Sequence, residues 1–169
     1  MTAAIPASWP VGAAAFSAMG RAIMDVILHI GAHRSGTTTF QRYLRDSHAA
    51  LEARQTGFWG PMRVRRSVFP GLFPGPGAAC GRNLAARAEG RVRMQLAQAR
   101  AAGLRQLLVS DENMIGSARQ CLRARSLYPA IGERMARIGS AFDGQIKRVV
   151  LSLRAPDLWW ASAAAYTVG

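Results

Sequence analysis

Cysteine, lysine and acidic side chains are all scarce in this chain. Cys80 and Cys121 are the only cysteines, too few and too unpatterned for a disulfide framework or a thiolate metal site, and a reducing, cytoplasmic setting fits them. No apolar run reaches the ~20 residues needed to span a membrane. Lys147 is the only lysine, so the formal net charge of +13 is nearly all arginine. Two readings of that excess stay open: a coding bias toward Arg and Ala, and a field that draws in anions, whether a small ligand, an acidic acceptor or nucleic acid. The arginines are scattered without interleaved exposed aromatics and match no nucleic-acid module, so nucleic acid is not an expected partner. The N-terminus lacks the positive leader of a secretory signal, although Ala13 to Phe16 weakly imitates its apolar part. Residues 1–22, rich in Ala, Pro and Gly without periodicity, read as a flexible extension or a misassigned start. The rest of the 169 residues, with 50% hydrophobic composition overall, is enough for one domain with a real core.

What is present is concentrated in Val26 to Leu44, V-I-L-H-I-G-A-H-R-S-G-T-T-T-F-Q-R-Y-L. Val26 to Ile30 has the near-continuous apolar character of a buried strand, and Phe40, Leu44 and Leu51 then recur at helical spacing. Gly31 and Gly36 let the intervening backbone turn tightly and bring N–H groups near a ligand. Thr37, Thr38 and Thr39 sit where a helix begins, with unpaired N–H groups and the positive end of its dipole. Phosphate or sulfate is the natural guest. The spacing Gly31-x-x-x-x-Gly36 matches part of the nucleotide triphosphatase P-loop, but Thr37 stands where that motif needs lysine. The loop's cation is Arg34 instead.

A second motif lies in Ile146 to Ala165, I-K-R-V-V-L-S-L-R-A-P-D-L-W-W-A-S-A-A-A. Val149, Val150, Leu151 and Leu153 predict another near-continuous apolar strand, Arg154 stands at its C-terminal edge, and Pro156 with Asp157 opens a helix. Together, G-A-H-R-S-G-T-T and the Arg154 to Ser162 segment resemble the sulfotransferase family, which uses 3′-phosphoadenosine 5′-phosphosulfate (PAPS). The resemblance implies a three-layer α/β sandwich with a parallel sheet and a P-loop-like phosphosulfate-binding loop. It implies that Gly31, Ala32, His33, Arg34, Ser35, Gly36, Thr37 and Thr38 hold the 5′-phosphosulfate, and that Arg154 and Ser162 hold the 3′-phosphate. A guanidinium fork suits phosphate because it offers paired donors and keeps its charge. Family members continue well past this length with further helices, at least one more strand and a late glycine-rich basic segment, so the resemblance also implies a chain incomplete at its C-terminus.

Between the motifs, Leu51 to Pro61 leaves helix for a turn-rich stretch punctuated by Pro61, Pro70, Pro74 and Pro76. Its aromatics, Phe58, Trp59, Phe69 and Phe73, either pin a long loop to the core or line an acceptor pocket. Leu84, Ala88, Val92, Leu96 and Ala99 form an apolar stripe that predicts a helix over 83–101, with Gly103 placed to end it. Leu104 to Ser110 predicts the next parallel strand, and Asp111, Glu112 and Asn113 follow it directly. A further helix is predicted around Pro129 to Ile138. In open α/β sheets ligands bind beyond the carboxyl ends of strands, which is where the glycine loop, the acidic pair and Arg154 all fall. Sulfuryl transfer to an alcohol needs a proton acceptor, and Glu112 is the candidate, since burial in a cleft raises a carboxylate's pKa. His33 in the loop and His29 in the strand compete for that role, the latter more naturally a hydrogen-bonded core residue. Trp159 and Trp160 either stack near adenine or pack on the sheet.

The implied reaction is in-line transfer from PAPS to a hydroxyl of a carbohydrate or other small alcohol, with Arg34 and Glu112 as catalytic groups and no metal expected. Two other readings remain: a catalytically inactive nucleotide-binding remnant, and a P-loop kinase.

Overall fold

The computed structural model describes residues 24–73 and 81–168. The N-terminal extension, Pro74, Pro76 and Cys80 lie outside the described residues. Strands β1 (Asp25–His29), β2 (Thr56–Trp59), β3 (Gln106–Ser110) and β4 (Ile146–Val150) form a four-stranded sheet in the order β2-β3-β1-β4, with every neighbouring pair parallel. Parallel neighbours require crossovers, and the helices supply them. Helices α1 (Thr37–Asp46) and α2 (His48–Ala53) lead from β1 to β2. A short α3 (Pro61–Arg63) runs into a wide turn at Val64–Val68, and α4 (Gly81–Ala101) leads to β3. A 3-10 turn at Glu112–Ile115, α5 (Ala118–Ala124) and α6 (Ile131–Phe142) lead to β4, and α7 (Pro156–Val168) follows. The chain is therefore a parallel α/β protein.

Register decides what each face carries. Val26 pairs with Leu107 and Leu28 with Val109, so these four share one face, and all are fully buried. Ala88, Val92 and Leu96 of α4 and Ile138 and Phe142 of α6 complete the same cluster. This stripe on α4 is the one its spacing predicts, although Leu84 at its start is exposed. Gly103, at φ 81°, turns the chain out of the helix as expected. On the other face His29 and Ser110 stand side by side, and Gln41 of α1 reaches Ser110.

Three elements depart from expectation. The buried face of α1 is Thr37, Gln41 and Leu44, while Phe40 is 37% exposed; the helix turns polar groups inward because polar side chains at the strand ends need donors. Leu51 belongs to the separate α2. The turn-rich stretch contains β2, too short to show a period, at the sheet edge and ended by Gly60 and Pro61. Finally, β4 overlaps only the start of its predicted apolar run: it ends at Val150, so Leu151, Leu153 and Arg154 lie beyond it, and it is an edge strand with Val149 and Val150 47% and 40% exposed. A continuous apolar run signals burial on both faces, yet among the described residues β4 pairs only with β1. Lys147 and Arg148 place charge on it, as edge strands commonly do.

Of the four aromatics around the proline-rich stretch, Trp59 and Phe69 are buried in the core and Phe73 packs against it. Trp159 is also core, with Trp160 packed against it. No helix among the described residues is long and apolar enough to cross a membrane.

Candidate functional site

The carboxyl ends of β1 and β3 and the segment after β4 converge on one cleft of about 520 Å³, walled by His33, Arg34, Gly36, Thr37, Thr38, Glu112 and Arg154 among others. The loop after β1 supplies its floor. Gly31 has to be glycine because a Cβ there would overlap the Thr37 methyl. Gly36 caps α1 from the left-handed region at φ 84°, which glycine adopts without strain. Arg34 is itself left-handed at φ 65°, a conformation uncommon outside glycine and found where the surroundings enforce it.

Hydrogen bonds sort the loop residues into two groups. Ala32 N–H donates to the Ser152 carbonyl at 2.8 Å and Ser35 N–H to the Ala32 carbonyl at 3.3 Å. The Ser35 hydroxyl donates to that same carbonyl at 2.6 Å, and His33 N–H donates to the Tyr128 hydroxyl at 2.8 Å. These groups shape the turn. By contrast, the N–H groups of Arg34, Gly36, Thr37 and Thr38 find no acceptor among the described residues. They belong to the first turn of a helix and its approach, where partial positive charge accumulates. Gly31, Ala32, Ser35 and Ser162 do not line the cleft wall; the first three set the loop's path, and Ser162 meets the cleft through Arg34.

The two arginines singled out from opposite ends of the chain lie together. Arg154 Nη1 donates to the Arg34 carbonyl at 3.2 Å, and Arg34 Nε donates to the Ser162 hydroxyl at 2.9 Å. The Arg34 guanidinium also lies over the Tyr166 ring, 5.3 Å from its centroid. Ser162 is thus bonded to the Arg34 side chain, and Arg154 reaches the same loop residue through its carbonyl.

Glu112 faces the cleft, but it is not a lone carboxylate. It accepts from Arg65 Nη2 at 2.7 Å and from Gln41 Nε2 at 3.2 Å. Burial pushes its carboxyl up, yet its own backbone N–H and the Arg65 and Gln41 side chains outweigh burial and hold it below its ordinary value. This reverses the expectation that the cleft raises its pKa. The neighbouring Asp111 is 2% exposed and takes a forked pair of bonds from Arg65, Nε and Nη2, at 2.6 to 3.2 Å. For Asp111 burial wins and the carboxyl is pushed up, with Arg65 and the Asn113 N–H opposing it.

Both competing histidines are occupied. His33 Nε2 donates to Asn113 Oδ1 at 3.0 Å, and the Tyr128 hydroxyl donates to His33 Nδ1 at 3.0 Å. His29 is buried between the Ser110 and Ser152 hydroxyls at 2.8 and 3.0 Å, tying β3 and the segment after β4 to β1. Burial holds its imidazole below the ordinary value near 6.5, with the Glu112 charge pulling the other way. The unfolded chain therefore takes up a proton that the folded chain resists, and stability falls as pH drops through 6.5. Melting at pH 7.5 and 5.5 is expected to show a drop that shrinks in His29→Gln, whereas an equal drop would place the loss on other groups.

Gln41, Arg65, Tyr128 and Arg134 escaped the sequence reading. Arg134 donates to the Met114 and Asn113 carbonyls at 2.9 and 2.6 Å and so fixes the turn that carries Glu112. Gln41 alone left a trace, as a polar residue four positions after Thr37 and three before Leu44 on one helix face. Among the described residues no group of His, Cys, Asp or Glu side chains converges to hold a metal ion. Compared with family models, with curated proteins and with solved structures, the chain matches none of them.

Proposed function

We propose that this cleft binds PAPS and transfers its sulfuryl group to a hydroxyl of a small acceptor. One observation carries the reading: Arg34 and Arg154, from opposite ends of the chain, meet at a single cleft where four backbone N–H groups have no acceptor among the described residues. That combination suits a ligand that carries more than one negative charge. In this reading the P-loop-like backbone with Thr37 and Thr38 cradles the 5′-phosphosulfate, and Arg154, with Ser162 nearby, faces the 3′-phosphate. The acceptor oxygen forms its bond to sulfur as the bond from sulfur to the bridging phosphate oxygen breaks. Arg34 stabilises the charge that develops on the leaving phosphate, and the acceptor's hydroxyl proton passes to Glu112.

The hold of Arg65 and Gln41 on Glu112 favours a second reading, a remnant that binds nucleotide without transferring sulfate. A P-loop kinase is less well supported, since Thr37 occupies the position where lysine grips the nucleotide phosphates.

Calorimetric titration separates these. Adenosine 3′,5′-bisphosphate is expected to bind at least about tenfold more tightly than adenosine 5′-phosphate, the worth of a charge-assisted bond at ~1.5–3 kcal/mol. Arg154→Ala should erase most of that preference. Equal affinities in the parent chain would overturn the reading, and tight binding without sulfate transfer to any alcohol or sugar would select the remnant.

A further inference from the structure

A second cavity of about 530 Å³ continues from the cleft and shares His33, Glu112, Ala118 and Tyr166 with it. Its size suits a small-molecule site. A molecule seated there has its reactive group beside Glu112 and next to the anion-binding loop. The remaining wall is Arg65, Asn113, Ser117, Arg119 and Thr167, so every lining side chain except Ala118 carries a polar group that a ligand would have to meet. An apolar phenol or steroid would bury that wall without giving its donors and acceptors partners, which is costly. A molecule with several hydroxyls would satisfy them.

The two arginines narrow the class further. Arg65 spends Nε and Nη2 on Asp111 and Glu112, and its Nη1 has no partner among the described residues. Arg119 forms no ion pair and no side-chain hydrogen bond among the described residues. Each can therefore present donors to an anionic group, and a guanidinium edge matches a carboxylate in plane. The wall's one carboxylate, the partly buried Glu112, is already met by Arg65 and Gln41, which limits its repulsion of an acid.

We infer that the second cavity is the acceptor subsite, and that the acceptor is a polyhydroxylated acid, such as a sugar acid, whose carboxylate is read by Arg119 and the Nη1 edge of Arg65. The acceptor role rests on the PAPS reading. The acid subsite is a claim about the cavity's own chemistry.

The test uses methyl β-glucuronide and methyl β-glucoside, which differ at one carboxylate. Each is titrated into the full chain saturated with adenosine 3′,5′-bisphosphate. The glucuronide is expected to bind about tenfold more tightly than the glucoside, and Arg119→Ala to remove most of that difference. Arg119 is exposed near the start of a short helix, so its removal should leave the melting temperature unchanged; Arg119→Gln, which keeps the side chain's length, serves as the second variant. Equal binding of the two sugars, or a preference untouched in both variants, overturns the inference. Bisphosphate binding without glucuronide preference sinks this inference alone. Glucuronide preference without bisphosphate binding sinks the donor reading and leaves the acid subsite standing.

Discussion

Replacing Arg65 by alanine is expected to destabilise the fold by about 3 kcal/mol, near the low end for breaking a buried ion pair. The reason lies in what the arginine leaves behind. Asp111 follows β3 at 2% exposure, and without Arg65 its carboxyl keeps, among the described residues, only the Asn113 N–H at 3.0 Å as a donor. A buried carboxylate deprived of its cation bears the desolvation cost with little in return. The outer end of Arg65 reaches solvent at 40% side-chain exposure, which moderates the figure through screening. Urea unfolding of Arg65→Ala, Asp111→Ala and the double variant measures the pair directly. The double variant should lose less than the sum of the singles, because removing both partners removes the orphaned charge. A single-variant loss below about 1 kcal/mol would mean the pair behaves as an ordinary surface contact.

If the cleft transfers sulfate as proposed, Arg34→Ala should lower the rate by roughly 10²–10³-fold, the usual effect of deleting one donor to charge developing in a transition state. The effect should fall on kcat and kcat/KM alike, since the leaving phosphate carries more charge in the transition state than in bound PAPS. Arg34→Lys keeps the charge without the planar fork and should recover part of the rate. Arg34 is exposed, so neither change should shift the melting temperature greatly. Its bond to Ser162 and its place over the Tyr166 ring show how α7 holds the side chain at the cleft. If the Arg34→Ala variant transferred sulfate about as fast as the parent, Arg34 would have no part in stabilising the leaving group.

Legibility followed the range of the interaction. The strand before the glycine loop, the apolar stripe at helical spacing on α4 and the apolar run of β3 are local patterns that show in a short window. The glycines could be interpreted residue by residue, and the structure supplies their reasons: the Thr37 methyl beside Gly31, and the left-handed turn at Gly36. The strand β2 was hidden because four residues between turn formers carry no period. The exposure of β4 was hidden because apolarity states a preference for burial without stating what provides the cover. Glu112 was placed correctly beyond a strand end, but the direction of its pKa depended on Arg65, 47 positions away in sequence, and on Gln41, 71 positions away.

Sequence by itself determined that a glycine-bracketed turn follows the first strand and leads into a helix, and that parallel strands with helical crossovers surround it. Those features depend on residue type and neighbours within a few positions, where steric and periodic rules act. Only the tertiary structure decided that Arg154 touches the carbonyl of Arg34, that Arg65 holds both acidic residues, and that His29 joins three strand ends through two serines. Such contacts come from strand order and register, which bring together side chains that no local pattern connects.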